Sequence, residues 1–432
     1  MEKKTRHLKA AFHTLGCKLN FSETSTIGKL LSERGVERAA EGERPDLIVV
    51  NTCSVTEMAD KKGRQLLRRL AREWPGATIV ATGCYAQLKP EEVAAIEGVD
   101  MVLGSNEKLL ITRYIDRWLA ERCQLVEVTP FREIKEFRPS CERGDRTRYF
   151  LKVQDGCDYF CTYCTIPYAR GRSRSGRIAD ITAIAAEAAS EGAKEIVITG
   201  VNIGDFGRDS GERLIDLLKV LDAVEGVERY RISSIEPNLL SEEMIRWIAE
   251  ESQKFMQHFH IPLQSGSDAV LRLMNRRYDT ALFASRIDMI RRLIPNAFIG
   301  VDVIAGARGE TDEEWERSYS FIRSLPVTRL HVFPYSERPG TKALAIGHNV
   351  DPRERHLRAG RLSALSDEKH AAFVNGHIGE AARVLWEHPG RPGAPMHGFT
   401  ENYIKIEAPF DPEYINRVTG ITITPENLSK EQ

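Results

Sequence analysis

"YFLKVQDGCDYFCTYCTIPYARGRSRSGR", residues 149–177, runs a short β-forming stretch straight into three cysteines, Cys157, Cys161 and Cys164, spaced C-x3-C-x2-C. A strand that releases clustered thiols at its carboxyl end reads as the first unit of a barrel with its chemistry at that end. Five further runs follow: "EIVITG" (195–200), "YRISSIEP" (230–237), "HFHIPLQ" (258–264), "FIGVDVIAG" (298–306) and "RLHVFPYS" (329–336), with helical stretches between them. Six βα units predict a partial, TIM-like (βα)6 barrel over residues 147–374.

Upstream, residues 1–125 alternate strands with amphipathic helices, and "KAAFHTLGC", "DLIVVNTC" and "ATIVATGC" are the strands. The helix after the first is expected to start at Asn20, with Glu23 closing a capping box, and to bury Ile27, Leu30 and Leu31. A second helix buries Ala59, Gly63, Leu67, Leu70 and Trp74 before Pro75. This βαβαβ pattern predicts a Rossmann-like parallel sheet. Residues 126–146 are charged and aperiodic and read as a linker. Residues 375–432 carry period-two runs in "NYIKIEA" and "VTGITIT", which predict a small antiparallel domain of OB-like size.

The chain has 432 residues, 42% of them hydrophobic, with a formal net charge of −1. It is globular, and binding to a polyanion must come from local basic patches. No apolar run approaches a membrane span, and the start of the chain has too short an apolar core for a signal peptide, so a cytoplasmic protein with no membrane partner is expected. Eight cysteines in a reducing compartment point to metal or redox use. Cys123 and Cys141 stand outside any group.

A closed zinc site needs a fourth Cys or His that the loop does not offer. A four-iron cubane held by three thiolates instead leaves one iron open to a small molecule. Cys17, Cys53 and Cys84 form a second trio, 36 and 31 residues apart, each at the end of a predicted parallel strand. Such ends share one sheet edge, so three thiols can meet there. A second 4Fe-4S cluster is expected at them.

C-x3-C-x2-C at a barrel mouth resembles the radical S-adenosylmethionine enzymes. Together with "GCKLN", "NTCSVT", "TGCYAQ" and the small C-terminal domain, the whole chain is similar to the methylthiotransferases. "GCKLN" with "CTYCTIPYARGRSRS" is most similar to the branch that adds a 2-methylthio group to threonylcarbamoyladenosine beside the tRNA anticodon. Sister branches act on isopentenyladenosine in tRNA or on a ribosomal-protein aspartate. The resemblance implies two 4Fe-4S clusters, S-adenosyl-L-methionine as cofactor, the tRNA anticodon stem-loop as partner, an electron donor such as flavodoxin or ferredoxin, and no DNA. It places cofactor contacts at Tyr163, Ser234, Glu236, Gln264, Asp302 and Phe333, and Gly200 and Asn202 of "ITGVNIGDFG" can approach the amino-acid part. Ala307 and Arg308 depart from the family, whose members usually carry Phe and Pro there.

RNA contacts are expected from Arg170, Arg172, Arg174 and Arg177, a run with no acid between Asp158 and Asp180. The C-terminal domain resembles the RNA-binding TRAM module, which makes Tyr403 and Lys405 candidates. Lys61, Arg64, Arg68 and Arg72 share one helix face and read as a solvated surface. His258 and His260 read as satisfied interior histidines. The rival reading is a zinc-stabilised RNA-binding protein without catalysis.

Overall fold

A computed structural model describes residues 8–142, 147–389, 391 and 393–429. The predicted linker's residues 143–146 lie outside them, as do the first seven residues of the predicted N-terminal domain. In chain order the first sheet has strands β1 (Lys9–Thr14), β2 (Glu37–Arg38), β3 (Leu47–Thr52), β4 (Thr78–Gly83), β5 (Val99–Leu103) and β6 (Leu125–Glu127), with helix α1 (Lys18–Ser32) after β1 and helix α2 (Glu57–Glu73) after β3. All pairings are parallel, in the order β2-β1-β3-β4-β5-β6. β3 and β4 are buried along their whole length because helices cover both faces, and this explains the apolar runs at residues 47–50 and 79–81 within them.

Two details of this domain differ from expectation. α1 begins at Lys18, and Asn20 and Glu23 lie buried inside it without forming a capping box. The described residues 126–142 of the predicted linker carry paired strands: β6 lies at the sheet edge, and β7 (Ser140–Cys141) pairs antiparallel with the first barrel strand. Short elements at an edge carry too few residues to show a period.

The barrel strands are β8 (Arg148–Lys152), β11 (Glu195–Thr199), β12 (Arg229–Ile232), β13 (His258–His260), β14 (Phe298–Ala305) and β15 (Arg329–Pro334); β9 (Gln154–Asp155) and β10 (Arg174–Ser175) form a small ribbon at the mouth. Parallel ladders join β8 to β11 to β12 and β13 to β14 to β15, and the bridges Tyr230–Phe255 and Ser234–His260 connect the halves. The helix Pro352–Gly376 packs on β14 and β15. The C-terminal strands β16 (Ala381–Glu387), β17 (Met396–Phe399), β18 (Lys405–Ala408) and β19 (Val418–Thr422) form an antiparallel sheet ordered β18-β17-β16-β19.

That sheet closes the barrel floor. Arg229 donates to the carbonyls of Arg383 and Phe399 (2.6 and 3.0 Å), and Arg231 donates to those of Thr400 and Glu401 (2.7 and 2.9 Å) and to Glu195. Among the described residues no helix is long and apolar enough to cross a membrane.

Candidate active site

β1, β3 and β4 are adjacent and parallel, so their carboxyl ends share one edge. Cys17 caps α1, while Cys53 and Cys84 directly follow β3 and β4. The backbone there is crowded. Gly16 has φ +103°, and a Cβ on it would lie 2.9 Å from Cys53 Sγ; Gly83 has φ +93°, and its Cβ would meet the Thr52 carbonyl at 2.3 Å. Burial pushes the Cys53 thiol up to about 11, with Cys84 and Cys17 adding repulsion, and burial raises Cys84 as well. Such thiols ionise readily only when a metal supplies positive charge.

The second trio sits where the first barrel strand ends. Cys157 Sγ accepts from the Tyr159 N–H and Cys164 Sγ from the Ile166 N–H (both 3.4 Å), and Arg276 Nη1 donates to Cys161 Sγ (3.2 Å). Burial pushes Cys157 up to about 12 and raises Cys161 and Cys164. Among the described residues no three Cys, His, Asp or Glu side chains close on a point that would hold a single metal ion. The donors in each trio are thiols alone, a set suited to iron-sulfur ligation.

Around the barrel mouth, Glu236 pairs with Arg276, whose Nη1 also reaches the Tyr163 hydroxyl (3.4 Å). Asp302 Oδ1 lies within hydrogen-bond distance of His260 Nε2, at 2.7 Å. Gln264 has φ +67° and bridges to Val303, and Ser234 bridges to His260. Phe333 is 49% exposed at the end of β15. The Asn202 side chain is buried, yet among the described residues neither its oxygen nor its nitrogen has a partner, the condition of an amide awaiting a ligand. Gly200 has a packing reason to be glycine, since a Cβ would meet Ile203 at 2.7 Å and the Gln154 carbonyl at 2.9 Å. Sequence reasoning missed Arg276, which touches a cysteine, a tyrosine and a glutamate here; a lone "NRRY" carries no motif to mark it.

The expected RNA strip divides. Arg172 and Arg177 are exposed, Arg172 lying over the Phe160 ring and pairing with Asp158. Arg170 and Arg174 are buried and face inward. Arg170 donates to Glu23 (3.0 and 3.1 Å), Asp155 (3.1 Å) and Asn20 Oδ1 (2.7 Å). Arg174 binds Asp155 (3.1 Å) and three backbone carbonyls. Lys108 and Lys152 complete a buried network by reaching Glu23 at 2.6 and 3.1 Å. Four cations thus face two carboxylates, and the excess positive charge lies behind the first thiol trio. In place of the expected solvent-facing phosphate contacts, Arg170 ties the barrel mouth to helix α1 of the N-terminal domain, and Arg174 ties Asp155 to the Glu136 carbonyl of the segment before the barrel.

Tyr403 is likewise not a free RNA contact. Its hydroxyl accepts from Arg148 (2.8 Å), and its ring stacks on Phe399 (4.6 Å between centroids) beside His258 and Phe298, inside the floor contact. The aromatic that looked ready for a base is used to seat one domain on another. Lys405 opens β18 opposite Phe399. His260 has its carboxylate partner, whereas His258 Nδ1 is buried without one. Ala307 packs with Val270 and Met274, and Arg308 is neutralised by Glu337 (2.8 Å), so the unusual charge in that loop is paired.

Two family descriptions match: "Uncharacterized protein family UPF0004" over residues 9–104 and "Radical SAM superfamily" over residues 151–322. The chain is 39% identical to the threonylcarbamoyladenosine tRNA methylthiotransferase MtaB of Bacillus subtilis, over 96% of this chain and 93% of the relative. Identity to the protein of the same name from Aquifex aeolicus is 36%, over 93% and 96%. A tRNA-2-methylthio-N(6)-dimethylallyladenosine synthase of Geotalea uraniireducens is 31% identical over 97% of both chains. Among solved structures, the radical S-adenosylmethionine methyltransferase TsrM of Kitasatospora setae shares the fold with a TM-score of 0.57 at 13% identity, over 76% of this chain and 74% of that one.

Proposed function

Because the chain belongs to the radical S-adenosylmethionine methylthiotransferases, we propose that it adds a 2-methylthio group to N6-threonylcarbamoyladenosine beside the anticodon of tRNA. The observation that carries this reading is the pair of all-thiol trios, one on the sheet edge and one at the barrel mouth, joined across the domain boundary by Arg170. Cys157, Cys161 and Cys164 would hold the cluster that binds S-adenosylmethionine, and Cys17, Cys53 and Cys84 a second, auxiliary one. Bound together, these groups would supply a carbon radical that takes the C2 hydrogen of adenine, a bond too weakly acidic for any side-chain base, and in its place a sulfur methylated by a second S-adenosylmethionine.

The chain's own residues provide binding and placement. The orphaned Asn202 amide and the Glu236–Arg276 pair are suited to the cofactor's polar groups. Arg276 donates to a ligand sulfur, which stabilises its ionised form. The Arg170 network does the same for the sheet-edge trio from behind, and fixes Asn20. The Asn20 amide in turn holds the carbonyls of Leu15 (2.7 Å) and Thr52 (3.1 Å), each within two residues of a cysteine of that trio. Electrons would come from a one-electron donor such as flavodoxin or ferredoxin, in the cytoplasm.

Iron analysis after anaerobic reconstitution tests the centre: about eight irons per chain supports two cubanes, and Cys84→Ala should leave about half while still releasing 5′-deoxyadenosine. Stoichiometric zinc would overturn the reading. Nucleoside mass spectrometry of a strain lacking the gene decides the substrate. Loss of methylthio-threonylcarbamoyladenosine is expected, and loss of the dimethylallyl form instead would assign the chain to the sister reaction.

A further inference from the structure

The outer face of α2 combines an unpaired basic stripe with a fixed position at the barrel mouth. Met58, Lys61, Lys62, Gln65, Arg68, Arg69 and Arg72 are all exposed, and at 100° per residue they fall within an arc of about 120°. Arg64, at the side of that arc, is bound to Glu92 and Tyr85. Among the described residues no ion pair involves Lys61, Lys62, Arg68, Arg69 or Arg72, although exposed arginines elsewhere in this chain, such as Arg213 and Arg317, find carboxylates. Five unneutralised cations on one face of a chain with net charge −1 mark a local positive field.

The stripe also has a direction. The start of α2 is held against the loop after β15, where Arg338 binds Ser54 (2.7 Å) and Asp60 (2.8 Å) and the Glu57 N–H reaches Ser336 Oγ (3.4 Å). That end lies just past Cys53 and exposes Val55 and Met58, each at 56%. The cations begin one turn later and continue for most of the helix, whose 17 residues span about 25 Å. A hairpin of RNA has the same polarity: unstacked bases at its loop, which bind apolar surfaces, and only phosphates along its stem.

We propose that the exposed face of α2 is the track for the phosphate backbone of a base-paired RNA stem, with the loop end of the hairpin at Val55 and Met58 and the stem running toward Arg72. This rests on the reading above that RNA is the substrate. It assigns the stem contacts to the N-terminal domain, where the sequence had suggested only a solvated surface.

The test uses the reconstituted full chain, a fluorescent anticodon stem-loop RNA carrying threonylcarbamoyladenosine, and an oligonucleotide of the loop alone. In the triple variant K62E/R69E/R72E the stem-loop affinity should fall by more than about tenfold, and the slope of log affinity against log salt should flatten by about 2 to 3. Loop-only binding, the melting temperature and 5′-deoxyadenosine release without RNA should stay at wild-type values. The alanine triple should show the same pattern at smaller amplitude, and Lys219→Glu on the outer barrel should change nothing. A stem-loop affinity and salt slope equal to wild type would overturn the proposal and leave the face to another partner; so would equal weakening of stem-loop and loop-only binding. Wild-type protein that binds neither RNA would defeat the RNA-substrate reading itself.

Discussion

Replacing Arg170 by methionine should loosen the joint between the two cysteine trios, and the structure gives the size of the effect. Arg170 is 1% exposed and serves Glu23, Asp155 and Asn20. Burial alone would raise the Glu23 carboxyl, but Arg170, Lys108 and Lys152 outweigh it and hold it well below the ordinary carboxylate range. Without Arg170 the two carboxylates still face Lys108, Lys152 and Arg174, so the core keeps its charge balance but loses four hydrogen bonds to a charged donor. Losing these charged hydrogen bonds and leaving the buried Asn20 oxygen without its arginine donor costs about 3–5 kcal/mol in all, and at about 2–4 °C per kcal/mol for domains of this size the melting temperature should fall by about 6–20 °C. Arg170→Lys, which restores the charge without the fork, should recover part of that loss. The assay is heating of the reconstituted enzyme, followed by circular dichroism and by the iron-sulfur absorbance. Because Asn20 is freed at the same time, absorbance from the auxiliary cluster should bleach before the fold melts. A methionine variant melting within about 2 °C of wild type, with its iron retained, would refute the assignment of Arg170 to this joint.

Arg276→Lys should remove the donor to Cys161 and lower 5′-deoxyadenosine formation by about 10–100-fold, read with the electron paramagnetic resonance of the radical cluster. Gly83→Ala drives a Cβ to within 2.3 Å of the Thr52 carbonyl at a positive φ; a loss of about 2–3 kcal/mol and depleted auxiliary iron are expected. Tyr403→Phe should cost about 1–2 kcal/mol through the lost Arg148 bond and leave tRNA affinity unchanged, which separates a seating role from RNA contact. Burial pushes His258 well below 6.5. The unfolded chain therefore takes up a proton below that pH which the folded chain refuses, and stability falls on acidification. At pH 5 this amounts to at most about 2 kcal/mol, and Glu23 and Asp155, held ionised in the fold, add their own loss chiefly as the pH falls further. His258→Phe should flatten that part of the profile measured by denaturant titration.

The strands and the cysteines were legible because each is set by local pattern. β3 and β4 are built on short apolar runs, and a cysteine one residue past each names the edge where they end. What escaped was side-chain direction across a domain boundary. Arg170, Arg172 and Arg174 alternate within one short basic run, and composition gives no reason to separate them. The separation comes from Glu23 and Asp155, which lie 147 and 15 residues from Arg170. A lone acid inside "LNFSETS" reads as a cap when its partners are out of view, and so the same contact that hid Glu23 also disguised Arg170 as an RNA ligand. The converse holds for α2, whose cations are exposed as the sequence predicts and gain a further meaning only because, among the described residues, no carboxylate pairs with Lys61, Lys62, Arg68, Arg69 or Arg72. Both follow from one physical fact: the role of a charge is fixed by the presence or absence of an opposite charge within a few ångströms, and in a chain of three packed domains that partner is seldom close in sequence.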